Sequence, residues 1–306
     1  MGYPDSIRSW IETRDPYLGS PAYHAFTGRH GLWAYAKGKS IVLFARNPDN
    51  AGQIMFYPQL GAPFPNLALE LIITLPEPSG GYQFSRIEKS QADFMVASMN
   101  KKSKFHDYAV IEEPSLDWKF PVHTLSTDKV SQAQGKAFKS MRQALNLARK
   151  HKVEAQPITI KNDYDKLISI VQNWAVNSPN ISDAQHQIDT YKYLLRLVGH
   201  PGLSLEGLKF FLNGQLVAFE IWDLPDSPHK AISNLAGFNK ANMRGFSEYQ
   251  HYTICDHLRK KGYQKICIGG SENESLDYFK RKMNPVESLD LKTISVEKRN
   301  DQKIAS

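Results

Sequence analysis

The sequence predicts an α/β protein of the α+β kind, built as two successive domains, each a mixed, largely antiparallel sheet flanked by helices. Three observations lead there. Short apolar runs separated by turn residues come in meanders. Amphipathic helical patterns stand between those meanders. The order of helix, three-strand meander, then further helices and strands occurs twice, without a residue-level repeat. With 306 residues, 41% of them hydrophobic and 11% aromatic, the chain can build two cores of ordinary size.

The first half opens with a helix from Asp5, its cap, to Arg14, where Ile7, Trp10 and Ile11 share a face and Asp15-Pro16 stops it. Strands follow at 32–36, 40–45 and 53–57, divided by Lys37-Gly38-Lys39 and Asn47-Pro48-Asp49-Asn50. Four prolines, at 63, 65, 76 and 78, break up the next stretch. A strand at 82–87 precedes a helix at 88–100 that carries Ala92, Met95 and Met99 at helical spacing. The Pro-bearing stretch from Glu113 to Pro121 reads as a domain boundary. It divides the chain into 1–121 and 122–306.

The second half begins with a basic helix from 128 to 152, capped by Thr127 or Asp128 and weakened at Gly135. Phe138, Met141, Leu145 and Ala148 line one face; Lys139, Arg142, Asn146 and Arg149 line the next. Then come a strand at 153–160, helices at 162–177 and 183–199, and strands at 205–212, 215–223 and 230–238. Asn213-Gly214 joins two of these strands as a hairpin. A helix at 247–261 ends on Gly262. Strand 264–268, the Gly269-Gly270 loop, a short helix opened by Ser271 and running through Lys282, and a strand at 288–295 complete the order. The tail from Lys298 reads as frayed.

Charge is the most uneven property of the chain. Lys and Arg number 38 against 31 Asp and Glu, a net +7. Seven bases and no acid lie between Lys129 and Lys152, which accounts for the whole excess. Such a run is either a solvated face or a site for a polyanion, tRNA or an anionic lipid surface. Two cysteines, Cys255 and Cys267, make neither a disulfide framework nor a four-ligand zinc site and suit a reducing compartment. No signal-peptide pattern or membrane-length apolar run is present, so the expected location is cytoplasmic.

Phosphate-loop, dinucleotide, serine-elbow and zinc-protease motifs are absent, and the ten histidines show no ligand spacing, so no metal is expected. The junction from Phe238 to Glu248 feeds a strand into a helix through Lys240, Arg244 and Gly245. It is an anion site formed by free N–H groups and the helix dipole, or only a helix start capped by Ser247. The Gly269-Gly270 loop is a strand-to-helix turn, or a close-approach site that carries Tyr278 and Lys280 to the sheet's open end. Glu220 and Asp223, ending a central strand, are solvated carboxylates or general bases.

Phe120-Pro121-Val122, Leu125-Ser126-Thr127 and Gly135-Lys136-Ala137-Phe138-Lys139-Ser140-Met141-Arg142 resemble the soluble C-terminal domain of the phosphatidylglycerol lysyltransferase family. Asn234-Leu235-Ala236, Arg244-Gly245-Phe246-Ser247-Glu248-Tyr249 and Ile268-Gly269-Gly270-Ser271, with Leu276 and Phe279-Lys280, follow in the same order. The resemblance implies a bacterial chain with tandem GNAT-like domains, the first degenerate and the second holding the site. It also implies transfer of an acyl or aminoacyl group from an anionic carrier to an amine or hydroxyl. The carrier would be aminoacyl-tRNA or acyl-coenzyme A, with no tightly bound cofactor and peripheral contact with anionic lipid as a further partner. Carried over, Lys136, Lys139 and Arg142 would face the anionic donor or acceptor. Lys240, Arg244, Gly245 and Ser247 would hold the carrier's phosphates, and Tyr278 and Lys280 would border the acceptor pocket. The expected chemistry is direct acyl transfer, with Glu220 or Asp223 taking the amine's proton and backbone N–H groups near splayed strands stabilising the oxyanion.

Overall fold

The structure is a computed structural model that describes residues 19–61, 66–113, 119–178, 183–225, 231–271 and 273–299. In chain order the elements are α1 (Pro21–Thr27), β1 (Leu32–Lys37), β2 (Ser40–Arg46), β3 (Ile54–Phe56), β4 (Leu60–Gly61), α2 (Leu67–Thr74), β5 (Tyr82–Glu88), α3 (Lys89–Lys101) and β6 (Tyr108–Glu113). The second half adds β7 (Val122–Ser126), α4 (Thr127–Gln132), α5 (Lys139–Lys150), β8 (Glu154–Pro157), α6 (Ile160–Asn177), α7 (Ala184–Leu197), β9 (Leu205–Leu212), β10 (Gln215–Asp223) and β11 (Ala231–Asn239). It closes with α8 (Phe246–Lys260), β12 (Lys265–Cys267), α9 (Glu274–Arg281), β13 (Glu287–Leu289) and β14 (Leu291–Lys298). The helix expected at Asp5 to Arg14 lies outside the described residues.

Two compact units result, and neither is one continuous stretch. The first comprises residues 27–122, 270–274 and those from 289 on; the second comprises those up to 26, 123–269 and 275–288. The expected halves, 1–121 and 122–306, therefore exchange segments at both ends. Burial is the reason in one direction: Ile294 and Val296 of β14 join the core of the first unit. Capping is the reason in the other. Asp223 Oδ2 accepts hydrogen bonds from Ser20 Oγ at 2.6 Å and from the Ala22 N–H at 3.1 Å, which ties the start of α1 to β10.

The first unit's sheet runs β1-β2-β3-β5-β14-β6, with β4 beside β2. Its single parallel pair among the described strands is β3 with β5, and Phe44, Phe56 and Phe84 stack beside it at centroid spacings of 5.6 and 5.2 Å. Helix α2 escaped sequence reading because the prolines around it masked its length. Asn66 Oδ1 caps it by accepting from the Leu69 N–H, and Leu67, Leu71 and Ile72 are buried.

The second unit's sheet runs β13-β7-β12-β11-β10-β9-β8. One core gathers on it from α4, α5 and α8 around Trp222, Phe210 and Phe246; another gathers from α6 and α7 around Phe219, Ile221 and Leu194. The long basic helix expected from 128 to 152 is two helices. Ala133 and Gly135 take left-handed φ of 50° and 81°, which ends α4 and starts a short 3-10 turn before α5. Met141, Ala144 and Ala148 are the buried face of α5.

Candidate functional site

The site is built where β11 parts from β12. These strands run parallel for three residue pairs, Ala231↔Lys265 to Ser233↔Cys267. β12 then ends, while β11, nine residues long, continues as far as Asn239. On its other edge β11 stays paired with β10, past a bulge at Leu235 that separates the pairs Trp222↔Asn234 and Ile221↔Ala236. The segment from Asn234 to Asn239 is thus laddered on one side only. Its other row of backbone N–H and C=O groups is available to something other than β12.

Glu220 lies under this segment. It pairs with Gly237 of β11, and a Cβ on Gly237 would stand 3.4 Å from the Glu220 carboxyl carbon. Gly237 is exposed, whereas Glu220 is only 1% exposed. The missing side chain leaves the carboxylate close to the surface without being open to bulk water. Gln250 of α8 donates from Nε2 to Glu220 Oε2 at 2.8 Å, and Oε1 has no hydrogen-bond partner among the described residues. Burial pushes the Glu220 carboxyl above the ordinary range; His251, the Gln250 hydrogen bond and Lys280 oppose that rise. On neighbouring registers Trp222 Nε1 and Asn234 Oδ1 are also buried without partners. These groups are polar, core-facing and incompletely satisfied among the described residues, and such groups call for a bound water, an ion or a catalytic role.

Lys280, on α9, is 7% exposed and donates to the Gly269 carbonyl at 3.2 Å. Its buried ammonium lowers the Glu220 carboxyl through space and supplies the second electrostatic element. His251 stands on α8 with Nδ1 2.9 Å from the Ser247 carbonyl and its ring edge-on to Phe279 at 5.7 Å. Cys255, on the same helix, is buried. Its thiol is pushed up by desolvation and then by Glu220, so it stays protonated and is no nucleophile.

The loop from β11 to α8 differs from its sequence reading in one respect. Gly245, at φ 79°, is the residue before the helix, and Ser247 is inside it. Ser247 Oγ accepts from Asn239 Nδ2 at 3.0 Å instead of capping, and Asn239 Oδ1 accepts from the Ala241 N–H at 2.7 Å. Gly245 is needed twice. Its φ is left-handed, and a Cβ there would come within 2.9 Å of Ala144 Cβ on α5. Arg244 and Lys240 are exposed on this loop. The loop from β11 to α8 and the basic helix α5 are therefore neighbours in one unit.

Other candidates separate. Asp223 holds α1, as above. Tyr278 is 60% exposed, with the Lys282 ammonium 6.0 Å from its ring. Lys136 and Lys139 are exposed. Arg142 is exposed too, but its Nη1 donates to the Ala133 carbonyl at 2.6 Å and to Gly135 at 2.8 Å, closing the break between α4 and α5. Ser271 does not open α9, which begins at Glu274; it is fully buried and bridges to Phe120. Among the described residues no group of His, Cys, Asp and Glu could hold a metal ion, and no helix is long and apolar enough to cross a membrane.

Gly237, Gln250 and His251 were missed at the level of sequence. A glycine inside a strand pattern signals close approach of another group, and Gly237 carried that signal.

This architecture is the tandem GNAT fold. A tandem GNAT protein from the clavulanic acid biosynthesis pathway superimposes with a TM-score of 0.55 at 10% identity, over 98% of this chain and 90% of that one. Higher scores come from a conserved protein of unknown function from Bacteroides thetaiotaomicron (0.71, 14% identity, 96% of each chain) and from FemX (0.64, 11% identity, 99% and 98%). The C-terminal domain of a candidate lysylphosphatidylglycerol synthetase from Agrobacterium fabrum matches at 0.63, with 13% identity over 98% and 93% of the chains. No protein-family model matches the sequence, and no curated protein matches it.

Proposed function

We propose that the second unit transfers an acyl or aminoacyl group from an anionic carrier to an amine. The observation that carries this reading is the pairing of an open, one-sided β11 edge with a buried, half-satisfied Glu220 under an exposed glycine. The fold shared with FemX and the lysylphosphatidylglycerol synthetase domain favours an aminoacyl donor.

In this reading the donor carbonyl lies along Asn234 to Phe238, where N–H groups not engaged by β12 meet its oxygen. Charge growing there in the transition state is stabilised by those fixed dipoles and by the Lys280 ammonium. The amine attacks the carbonyl carbon and passes its proton to Glu220 Oε1, the unpartnered oxygen. A carboxyl raised above its ordinary range is a stronger base once ionised, so the acid limb of the rate profile lies above the usual carboxylate region. The tetrahedral adduct collapses onto the carrier oxygen or sulfur, with no covalent enzyme intermediate. Lys240, Arg244 and the α5 lysines attract the carrier's phosphates, a binding contribution that falls with salt.

Transfer from charged tRNA and from acetyl-coenzyme A to a panel of primary amines, in parallel with melts in the presence of coenzyme A, tests the proposal. Turnover with one donor that drops in Glu220→Gln supports it. Anion binding without turnover, unchanged in Glu220→Gln, supports instead a binding protein on a transferase fold.

A further inference from the structure

We propose a second reactive centre, at Ser288, of serine-hydrolase type. Three side chains of the second unit form a continuous hydrogen-bonded chain that the transfer reading does not use. His123 Nε2 is 2.8 Å from Asp277 Oδ1, and His123 Nδ1 is 2.8 Å from Ser288 Oγ. The residues come from three separate elements, β7, α9 and β13, and the sequence separations are 154 and 165 positions.

The chemistry of the partners sets the direction of the relay. The Asp277 carboxylate serves as the acceptor, and its Oδ2 already receives Arg281 Nε at 2.8 Å, which fixes its orientation. Nε2 of His123 therefore carries the ring proton. Nδ1 is left with a lone pair, and the hydroxyl of Ser288 must be the donor in the remaining bond. This is the arrangement in which an imidazole can take a serine proton while a carboxylate steadies the imidazolium that forms.

Burial is graded in the sense that catalysis needs. The side chains of His123 and Asp277 are 3% and 4% exposed, while Ser288 is exposed. The base and its orienting carboxylate are shielded from water, and the nucleophile is open to a substrate. β13 is an edge strand of its sheet, so the N–H groups that alternate away from β7 are not laddered to a further strand of that sheet, and in this proposal they meet the oxyanion.

The substrate class is an activated carboxylic ester. Ser288 Oγ bonds to the ester carbonyl carbon as its proton moves to His123 Nδ1. The adduct collapses by breaking the bond to the alcohol oxygen, which takes that proton from His123 and leaves. Water, deprotonated in turn by His123, attacks the acyl-serine and releases the acid, restoring Ser288.

The test treats the folded full chain with a fluorophosphonate probe and with p-nitrophenyl acetate, and maps the adduct by peptide mass spectrometry. The expected result is a single adduct at Ser288, lost in Ser288→Ala, with the labelling rate lowered about 100-fold in His123→Gln. Ser288→Ala also removes the partner of His123 Nδ1, so a urea melt of each variant, run beside the labelling, separates loss of the nucleophile from loss of fold. An unlabelled Ser288 in folded wild-type protein overturns the proposal. So does labelling of Ser288 at the same rate in a folded His123→Gln.

Discussion

Each unit contains one parallel strand pair crossed by a helix among its described elements, and the two pairs have opposite fates. In the first unit β3 is three residues long and its parallel pairing with β5 uses all three, Ile54↔Tyr82 to Phe56↔Phe84. In the second, β11 spends three residues on β12 and runs six more beyond them. What lies beside each pair differs as much. Phe44, Phe56, Phe84 and Tyr82 pack ring against ring in the first, whereas the second has Glu220, Gln250 and an exposed glycine. The same topology can thus be filled and closed or left polar and open. In the proposed transfer, only the second arrangement gives a substrate backbone groups and a buried base.

The largest effect expected from breaking this contrast is on stability, in the closed unit. Phe56 is fully buried in the aromatic stack, so Phe56→Ala should cost about 3–5 kcal/mol in urea unfolding. Transfer per folded molecule should be unchanged. A loss of turnover beyond the loss of folded protein would show that the closed pair takes part in the chemistry.

Next in size is the open unit's base. Glu220→Gln keeps the volume and an acceptor for Gln250 but takes no proton, and kcat should fall about 100-fold with KM little altered. The same variant has a stability signature. The folded-state carboxyl is raised, so the native protein binds its proton more tightly than the unfolded chain does. Its favourable share is full below the unfolded value, about 4.3, and disappears as pH rises through the folded value. Melting temperatures of Glu220→Gln and wild type should therefore diverge in the variant's favour as pH rises from 4 to 8. A parallel pair of curves would mean that Glu220 is not desolvated. Gly237→Val comes third. Its side chain would sit over the carboxylate, and turnover should fall about tenfold while stability stays within about 0.5 kcal/mol.

The sequence carried much of this contrast and missed the rest for physical reasons. The meanders around Lys37-Gly38 and Asn213-Gly214 were legible because turn chemistry is local. Glu220 stood out as one of two carboxylates in a run of apolar residues, but its burial did not show there. The insertion of β14 between β5 and β6 was not legible, because long-range pairing leaves no local signature. Asp223 looked equivalent to Glu220. What separates them is Ser20, 203 positions away, which claims the Asp223 carboxylate as a cap. The basic run read as one helix because Ala133 and Gln134 are ordinary helix formers. The break lies at the left-handed Ala133 and Gly135, and Arg142, nine and seven positions on, reaches back to their carbonyls.

That last contact gives the smallest and most discriminating prediction. Lys139 and Arg142 lie one turn apart on α5 and carry the same charge, so electrostatics alone makes them equivalent. The structure makes them different. Lys139 is exposed, whereas Arg142 uses one nitrogen to hold two carbonyls at the α4–α5 break. Lys139→Ala should leave the melting temperature unchanged and lower the slope of log affinity for tRNA against log salt by about one. Arg142→Ala should cost about 1 kcal/mol of stability through two orphaned carbonyls. Arg142→Lys, which keeps the charge but not the planar fork, should recover the salt slope without recovering the stability. If the two alanine variants proved indistinguishable in both measurements, the carbonyl contacts would carry no weight, and α5 would act as an undifferentiated cationic face.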